Sequence, residues 1–219
     1  MTNYLETVHR ATIADVTQAA QFFQQRAGVA ADRHDVSAAS DDPRLAAFRL
    51  FLSHVVLEHG ELWLAEDEAG ITAAALWLPR NPEQFGPELT RVLLRELGPL
   101  PEDVPSSPSI SGENTADELA SVTPQLLKVA ASSRAQLILT DVLLADDIAP
   151  GSPEGADIVR SLLRPVLSSP QYSRFAAISV DPDVIVLLQE FGVLSLASVP
   201  CGENSMAWMG MADLSRHLV

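Results

Sequence analysis

One carboxylate stands out by its surroundings. Asp141 interrupts the run Gln-Leu-Ile-Leu-Thr-Asp-Val-Leu-Leu over residues 136–144, which is otherwise close to continuously apolar. A strand of that kind is covered on both faces, and an acid held there tends toward a raised pKa, suited to taking a proton from a nucleophile near neutral pH. The competing reading is a structural acid satisfied by hydrogen bonds or placed at a strand edge. The strand leads into a loop, 145–155, with Asp146, Asp147, Pro150, Gly151 and Pro153, and residues 154–167 read as a turn and a helix, the helix itself running from 156 to 168. Strand, turn and helix N-terminus in that order let backbone N–H groups and the macrodipole meet an anion. Arg160 and Arg164 lie one helical turn apart, spaced either to salt-bridge phosphate or to stand as solvated surface cations.

Other reactive side chains carry less. His54 and His59 are five apart near the end of a helix, which is not the i, i+4 spacing of helical metal ligands, and a cationic imidazole there meets the C-terminal dipole. Cys201 falls in Pro-Cys-Gly-Glu, read as a turn residue with no hydrolase signature around it. Trp63, Trp77 and Trp208 fall on strands, where core or pocket-wall packing is the default, and Trp77, at the exit of its strand, is a candidate wall of a substrate pocket.

These groups are carried on 219 residues, 47% hydrophobic, enough for one sizeable α/β core. The formal charge of −15, from 14 basic and 29 acidic residues, opposes nucleic acid and anionic membrane surfaces as partners, because polyphosphate affinity comes from Lys and Arg displacing counterions. A single cysteine excludes an internal disulfide, and with no export signal, membrane-spanning run or clustered Cys/His spacing the expected setting is cytoplasmic and metal-free.

The elements that must position the chemistry follow from periodicity and punctuation. A short strand at 4–10 precedes a helix begun by Thr12 and Asp15, with Ile13, Val16, Ala20 and Phe23 inward. Asp42-Pro43 opens a second helix whose Leu45, Phe48, Leu52, Val55 and Val56 recur at helical spacing, ended by Gly60. Strands 61–66 and 71–78 form an antiparallel hairpin about Asp67-Glu68-Ala69-Gly70. A helix at 87–97 is followed by a flexible loop at 98–114, then a helical region from Thr115 to about 133 that Pro124 interrupts. Strand 136–144, a helix to about Ser168, strand 174–180, a helix from Asp181-Pro182 to Gly192 and strands near 194–199 and 205–211 complete one domain, 1–219.

This order resembles the fold of the GCN5-related N-acetyltransferase (GNAT) family across nearly the whole chain. The strands Glu61-Leu62-Trp63-Leu64-Ala65-Glu66-Asp67 and Ala75-Leu76-Trp77-Leu78-Pro79 are similar to the family's second and third strands. Leu162 to Leu167 is similar to the end of its CoA-binding helix, and Glu190-Phe191-Gly192 to the end of the next. The resemblance implies an α/β fold with a mixed, mostly antiparallel sheet, a central parallel splay, and helices on both faces. It also implies N-acyl transfer from acetyl-CoA or another acyl-CoA, without a metal, to an amine on a small molecule or protein.

By the same resemblance the backbone of Leu143, Leu144 and Ala145 holds the pantetheine, Gly155, Ala156, Asp157, Ile158, Val159 and Arg160 meet the diphosphate, and Asp141 acts as base. The family's turn reads Gln/Arg-x-x-Gly-x-Gly/Ala. Registered on Leu162-Leu163, this chain presents Glu154, Asp157 and Val159 at those positions, and a shifted register gives Gly151 or Gly155 a glycine role. Leu188 stands where many members carry a general-acid tyrosine, and a leucine delivers no proton. The alternative reading is therefore a catalytically inactive descendant of the fold, binding a ligand or a protein and open to homodimerisation through its terminal strands. A third, an acyl carrier protein as donor, is opposed by like charge.

Overall fold

The computed structural model describes residues 7–26, 43–97, 125–130, 132–201 and 205–214. The flexible-loop reading at 98–114 and the capping box at Thr115 lie outside them. Among the described residues one seven-stranded sheet runs in the order β1-β2-β3-β4-β5-β7-β6. Its strands are β1 (Thr7–Arg10), β2 (Glu61–Asp67), β3 (Gly70–Pro79), β4 (Leu137–Leu144), β5 (Arg174–Ser179), β6 (Leu194–Cys201) and β7 (Ser205–Asp213). Every pairing is antiparallel except β4 with β5. Helices α1 (Val16–Arg26), α2 (Pro43–Phe51), α3 (Gly86–Leu97), α4 (125–130), α5 (Pro153–Leu167) and α6 (Pro182–Glu190) complete the element order.

Strand alternation sorts the side chains onto two faces. Ala73, Ala75 and Trp77 of β3 pack with Leu162, Leu163 and Val166 of α5 and Leu187 and Leu188 of α6. The intervening Ala74, Leu76 and Leu78 pack with Phe23 of α1 and Leu45 and Phe48 of α2. Farther along that second face, Leu126 and Ala130 of α4 cover Ile138, Ala176 and Met209. Helices thus lie on both faces, as the apolar run of β4 demands.

Local chemistry sets the ends of these elements. Asp15 accepts from the Thr12 N–H (2.7 Å) and hydroxyl (2.8 Å), so residues 13–15 form a turn and the helix starts only at Val16. Ile13 is consequently out of helical phase and 72% exposed, a correction to its expected inward placement. Asp67 closes the β2–β3 hairpin by accepting from the Ala69 and Gly70 N–H groups. The helix after Pro43 widens into a π-turn at Leu52–Val56 and a last turn at Leu57–His59, which keeps Leu52, Val55 and Val56 all buried. Cys201 is the last residue of β6 and buried, which corrects the turn reading.

Gly60 ends that helix where it meets the sheet. A β-carbon there would overlap the Trp77 carbonyl oxygen, a backbone atom that cannot swing aside. Gly60→Ala is expected to destabilise the fold by roughly 1–3 kcal/mol, the usual range for overpacking a tight core site, read as a lower urea midpoint with an unchanged slope.

Candidate active site

The parallel strands part early. β4 and β5 are paired at Leu137/Phe175, Ile138/Ala176 and Leu139/Ala177, after which β4 continues to Leu144 beside β3 alone. The register with β3 shifts at this point: Leu76 faces Asp141 and Trp77 faces Leu139, so Thr140 is the extra residue of a bulge. The bulge and the loss of the β5 partner coincide, and together they open a cleft at the C-terminal end of β4. Residues Asp141, Val142 and Leu143 are only half-buried there, unlike the sealed Leu137–Leu139.

Backbone groups line this cleft. The Ala145 N–H donates to the Thr72 carbonyl of the β3 side. In an antiparallel ladder such residues alternate with ones whose N–H and C=O point the other way, which turns the peptide groups of Val142 and Leu144 into the opening and those of Leu143 and Ala145 toward β3. Of the three residues expected to supply backbone contacts, Leu144 is the one so turned, and Val142 was missed.

Asp141 stands at the fork itself. Its side chain shares a face with Leu76, the face covered by α1 and α2. Dense protein surrounds the carboxyl although the residue keeps an edge on solvent, and burial pushes its pKa up to about 6, with the Thr140 hydroxyl bond opposing part of the rise. A carboxyl so placed changes protonation near neutral pH.

The mouth of the cleft is formed by the loop 145–152 and the N-termini of α5 and α6. Ser152 caps α5, its Oγ accepting from the Gly155 N–H at 3.0 Å while its carbonyl takes the Ala156 N–H at 2.8 Å. A β-carbon on Gly155 would overlap the Ala149 carbonyl oxygen, so this glycine serves close packing of the loop on the helix. Ile158 (4% exposed) and Val159 (0%) face the core, and Asp157 is exposed and paired with Arg160 at 3.0 Å. Arg160 also binds Glu190 at 3.0 Å, and those two carboxylates raise its pKa, the hydrogen bond to Glu190 first. Gly151 packs against the Asp183 carboxylate at the start of α6. Asp146, Asp147, Glu154, Asp157, Asp181 and Asp183 thus give the mouth an acidic rim.

Arg26, the last residue of α1, is the cation the sequence reading missed. Its guanidinium donates to the Leu144 carbonyl and pairs with Asp146, with 15% of its side chain exposed against 96% for Asp146. Trp77 is fully buried, edge-on to Phe175 with centroids 5.6 Å apart, so its ring belongs to the core between sheet and α5. His54 pairs with Glu58 at 3.4 Å and His59 stacks on Phe85 at 4.3 Å, both remote from the cleft. A hollow of about 550 Å³ lined by Arg10, Thr12, Ile13, Ser53 and Leu57 lies at the other end of the sheet, open to solvent and away from Asp141, Val142 and Leu144.

A mixed sheet whose single parallel pair splays after three residues, with helices on both faces, is the fold of the GNAT acetyltransferases. Solved structures with this fold superpose over almost the full chain. A histone acetyltransferase HPA2-related acetyltransferase from Corynebacterium glutamicum is similar at 15% identity and TM-score 0.50, over 94% of each chain. The polyamine N-acetyltransferase of Drosophila melanogaster gives 11% and 0.53, over 95% of this chain and 99% of its own. The C-terminal condensation domain of Ebony, solved with beta-alanyl-dopamine, gives 10% and 0.56, over 96% and 99%. No protein-family model and no curated protein matches the sequence.

Proposed function

We propose that the protein transfers an acyl group from acyl-CoA to a cationic amine in the cleft between β4 and β5. The observation that carries this is the coincidence, at one fork, of β4 peptides turned away from β3 and a carboxyl poised near neutrality. The peptide groups of Val142 and Leu144 match the alternating donors and acceptors of a pantetheine arm. An amine attacks a thioester only as the free base, so a group must accept its proton as the carbon–nitrogen bond forms and the carbon–sulfur bond breaks, releasing CoA thiolate. Asp141, ionised above about pH 6, is that acceptor. The acidic rim and the charge of −15 draw a polycation toward it, in line with the polyamine acetylated by the similar Drosophila enzyme.

One observation favours the second reading, a binding module without turnover. At the α5 N-terminus Ser152 already takes the Gly155 and Ala156 N–H groups, and Leu188 is a sealed core residue. Calorimetric titration with acetyl-CoA at moderate salt, repeated with desulfo-CoA and followed by CoA release in the presence of spermidine, separates the two. Binding with amine-dependent CoA release supports transfer. Binding without release supports the module, and no binding at millimolar ligand overturns the donor site.

A further inference from the structure

The residues flanking the β4 bulge fix which way its own side chains point. Leu139 and Val142 pack into the core against α5, whereas Ile138 and Leu143 pack on the opposite face. Side chains alternate along a regular strand, which would put Leu139 and Val142 on opposite faces. They share one because the bulge breaks the alternation, so Thr140 and Asp141 both point to the other side, as the pairing of Asp141 with Leu76 requires. A hydroxyl and a carboxyl thus stand side by side, which adjacent residues of an unbulged strand cannot do. The hydroxyl has one proton to donate. Its contact with the Leu76 carbonyl oxygen is 3.5 Å, against about 2.7–2.8 Å for a usual O–H···O bond, so little is lost when it turns away. An ionised carboxylate is the stronger acceptor. When Asp141 is protonated the direction reverses: its own O–H donates to the Thr140 oxygen, and the hydroxyl proton returns to Leu76.

We propose that Thr140 is the positioning residue for Asp141, its hydroxyl turning from the Leu76 carbonyl to the carboxylate when Asp141 loses its proton and so holding the base in its ionised form. The proposal rests on the role given to Asp141 above and names what regulates it. Among the described residues, the elements covering that face carry Arg26 on α1, Arg44 and Arg49 on α2, His54 on the π-turn and Lys128 on α4. Of the neighbouring strands, β3 carries no charge and β5 carries Arg174 at its start, while Asp146 and Asp147 follow in the loop beyond β4. The carboxyl answers to burial first and to the Thr140 hydroxyl second, which opposes the burial.

The test follows the Asp141 side-chain carboxyl carbon and the Leu76 carbonyl carbon by NMR from pH 4.5 to 8 in the ligand-free wild type, Thr140→Val and Thr140→Ser. Circular dichroism and melting confirm that each variant is folded. Valine keeps the branched shape at the bulge and loses the hydroxyl, whereas serine keeps the hydroxyl. The expected result is an Asp141 midpoint raised by about half a pH unit or more in Thr140→Val and close to wild type in Thr140→Ser. The Leu76 carbonyl of the wild type should titrate with that midpoint, and in Thr140→Val it should not. Spermidine-dependent CoA release should fall by about two-fold or more at pH 6 in Thr140→Val, approach wild type at pH 8, and stay near wild type at both in Thr140→Ser. Equal midpoints in wild type and Thr140→Val overturn the assignment, as does an equal rise in both variants, which would mark Thr140 as packing at the bulge. A Leu76 carbonyl in the wild type that ignores the Asp141 midpoint overturns it even if neither variant folds. Midpoints moved as expected with no CoA release from the wild type support the pairing of Thr140 with Asp141 and remove the transfer reading.

Discussion

Asp141→Asn is expected to make the protein more stable at neutral pH while reducing acyl transfer by about a hundred-fold or more, the usual contribution of a positioned general base. The carboxyl titrates near 6 in the folded chain against 3.8 for the unperturbed group. Below the unfolded value both states are protonated and burial costs nothing. Between 3.8 and about 6 the folded state holds a proton that the unfolded state has released, so stability falls as pH rises, and above that window the full penalty stands. The shift corresponds to about 3 kcal/mol at 1.36 kcal/mol per unit, of which an isosteric amide recovers the larger part.

Melting of wild type and Asp141→Asn from pH 4.5 to 8 should give curves that diverge upward, by roughly 5–10 °C at pH 7.5 for a chain of this size. Turnover of the wild type should climb through pH 6 to a plateau. A variant that is less stable at pH 7.5, or a pH–rate profile flat from 5 to 8, would return Asp141 to the structural reading.

The second large effect belongs to Glu61. It is 6% exposed at the start of β2, and its carboxylate accepts from the Tyr172 hydroxyl at 2.6 Å and the Trp63 indole N–H at 2.7 Å, with the Arg10 guanidinium at 3.9 Å. It ties the segment before β5 to the opposite side of the sheet. Glu61→Ala removes two charge-assisted hydrogen bonds and leaves two donors without a partner, a loss of about 3–5 kcal/mol by analogy with broken buried polar networks. Glu61→Gln keeps one acceptor and should lose about half as much.

Tyr172 supplies an independent readout. Its pKa is pushed up to about 12, by burial first and then by the Glu61 carboxylate. Only two tyrosines are present, so the ultraviolet phenolate titration of Glu61→Ala should show one of them moving down toward 10. A variant within 0.5 kcal/mol of wild type, the range of ordinary surface changes, with an unmoved titration would show that the network carries no weight.

The parts that sequence reasoning reached are those written in short-range pattern. Strand and helix positions followed from alternation, from the Pro43 and Pro182 starts and from the acidic turn at Asp67, whereas the helix expected from 156 begins three residues earlier, at Pro153, which reads as loop. Asp141 was conspicuous because a charge in an apolar run is costly unless something uses or satisfies it. What escaped depends on register or on distant partners. The bulge at Thr140 is a property of how two strands align, with no residue-type signature in this chain, and it turns Val142 as well as Leu144 into the cleft. The π-turn at Leu52–Val56 adds one residue to a helix whose apolar spacing reads as regular. Ile13 was misplaced by assuming that helical phase begins at the capping residue. Arg26 resembles any cation in a last helical turn, and its carbonyl partner is 118 positions away in sequence. Trp77, at the exit of a strand, reads equally as pocket wall or core until its Phe175 contact is seen.

The account stands on the cleft-facing peptides of β4. Amide hydrogen exchange or amide shifts, followed residue by residue while desulfo-CoA is titrated into the 219-residue chain, test it most directly. Protection and shift changes centred on Val142 and Leu144 and extending to the loop at 145–152 are predicted, with Gly60 and the hollow around Thr12 and Ser53 unaffected. Saturating ligand that leaves Val142 and Leu144 unchanged, or that moves the Thr12–Ser53 hollow instead, would contradict the assignment of the β4–β5 fork as the donor site.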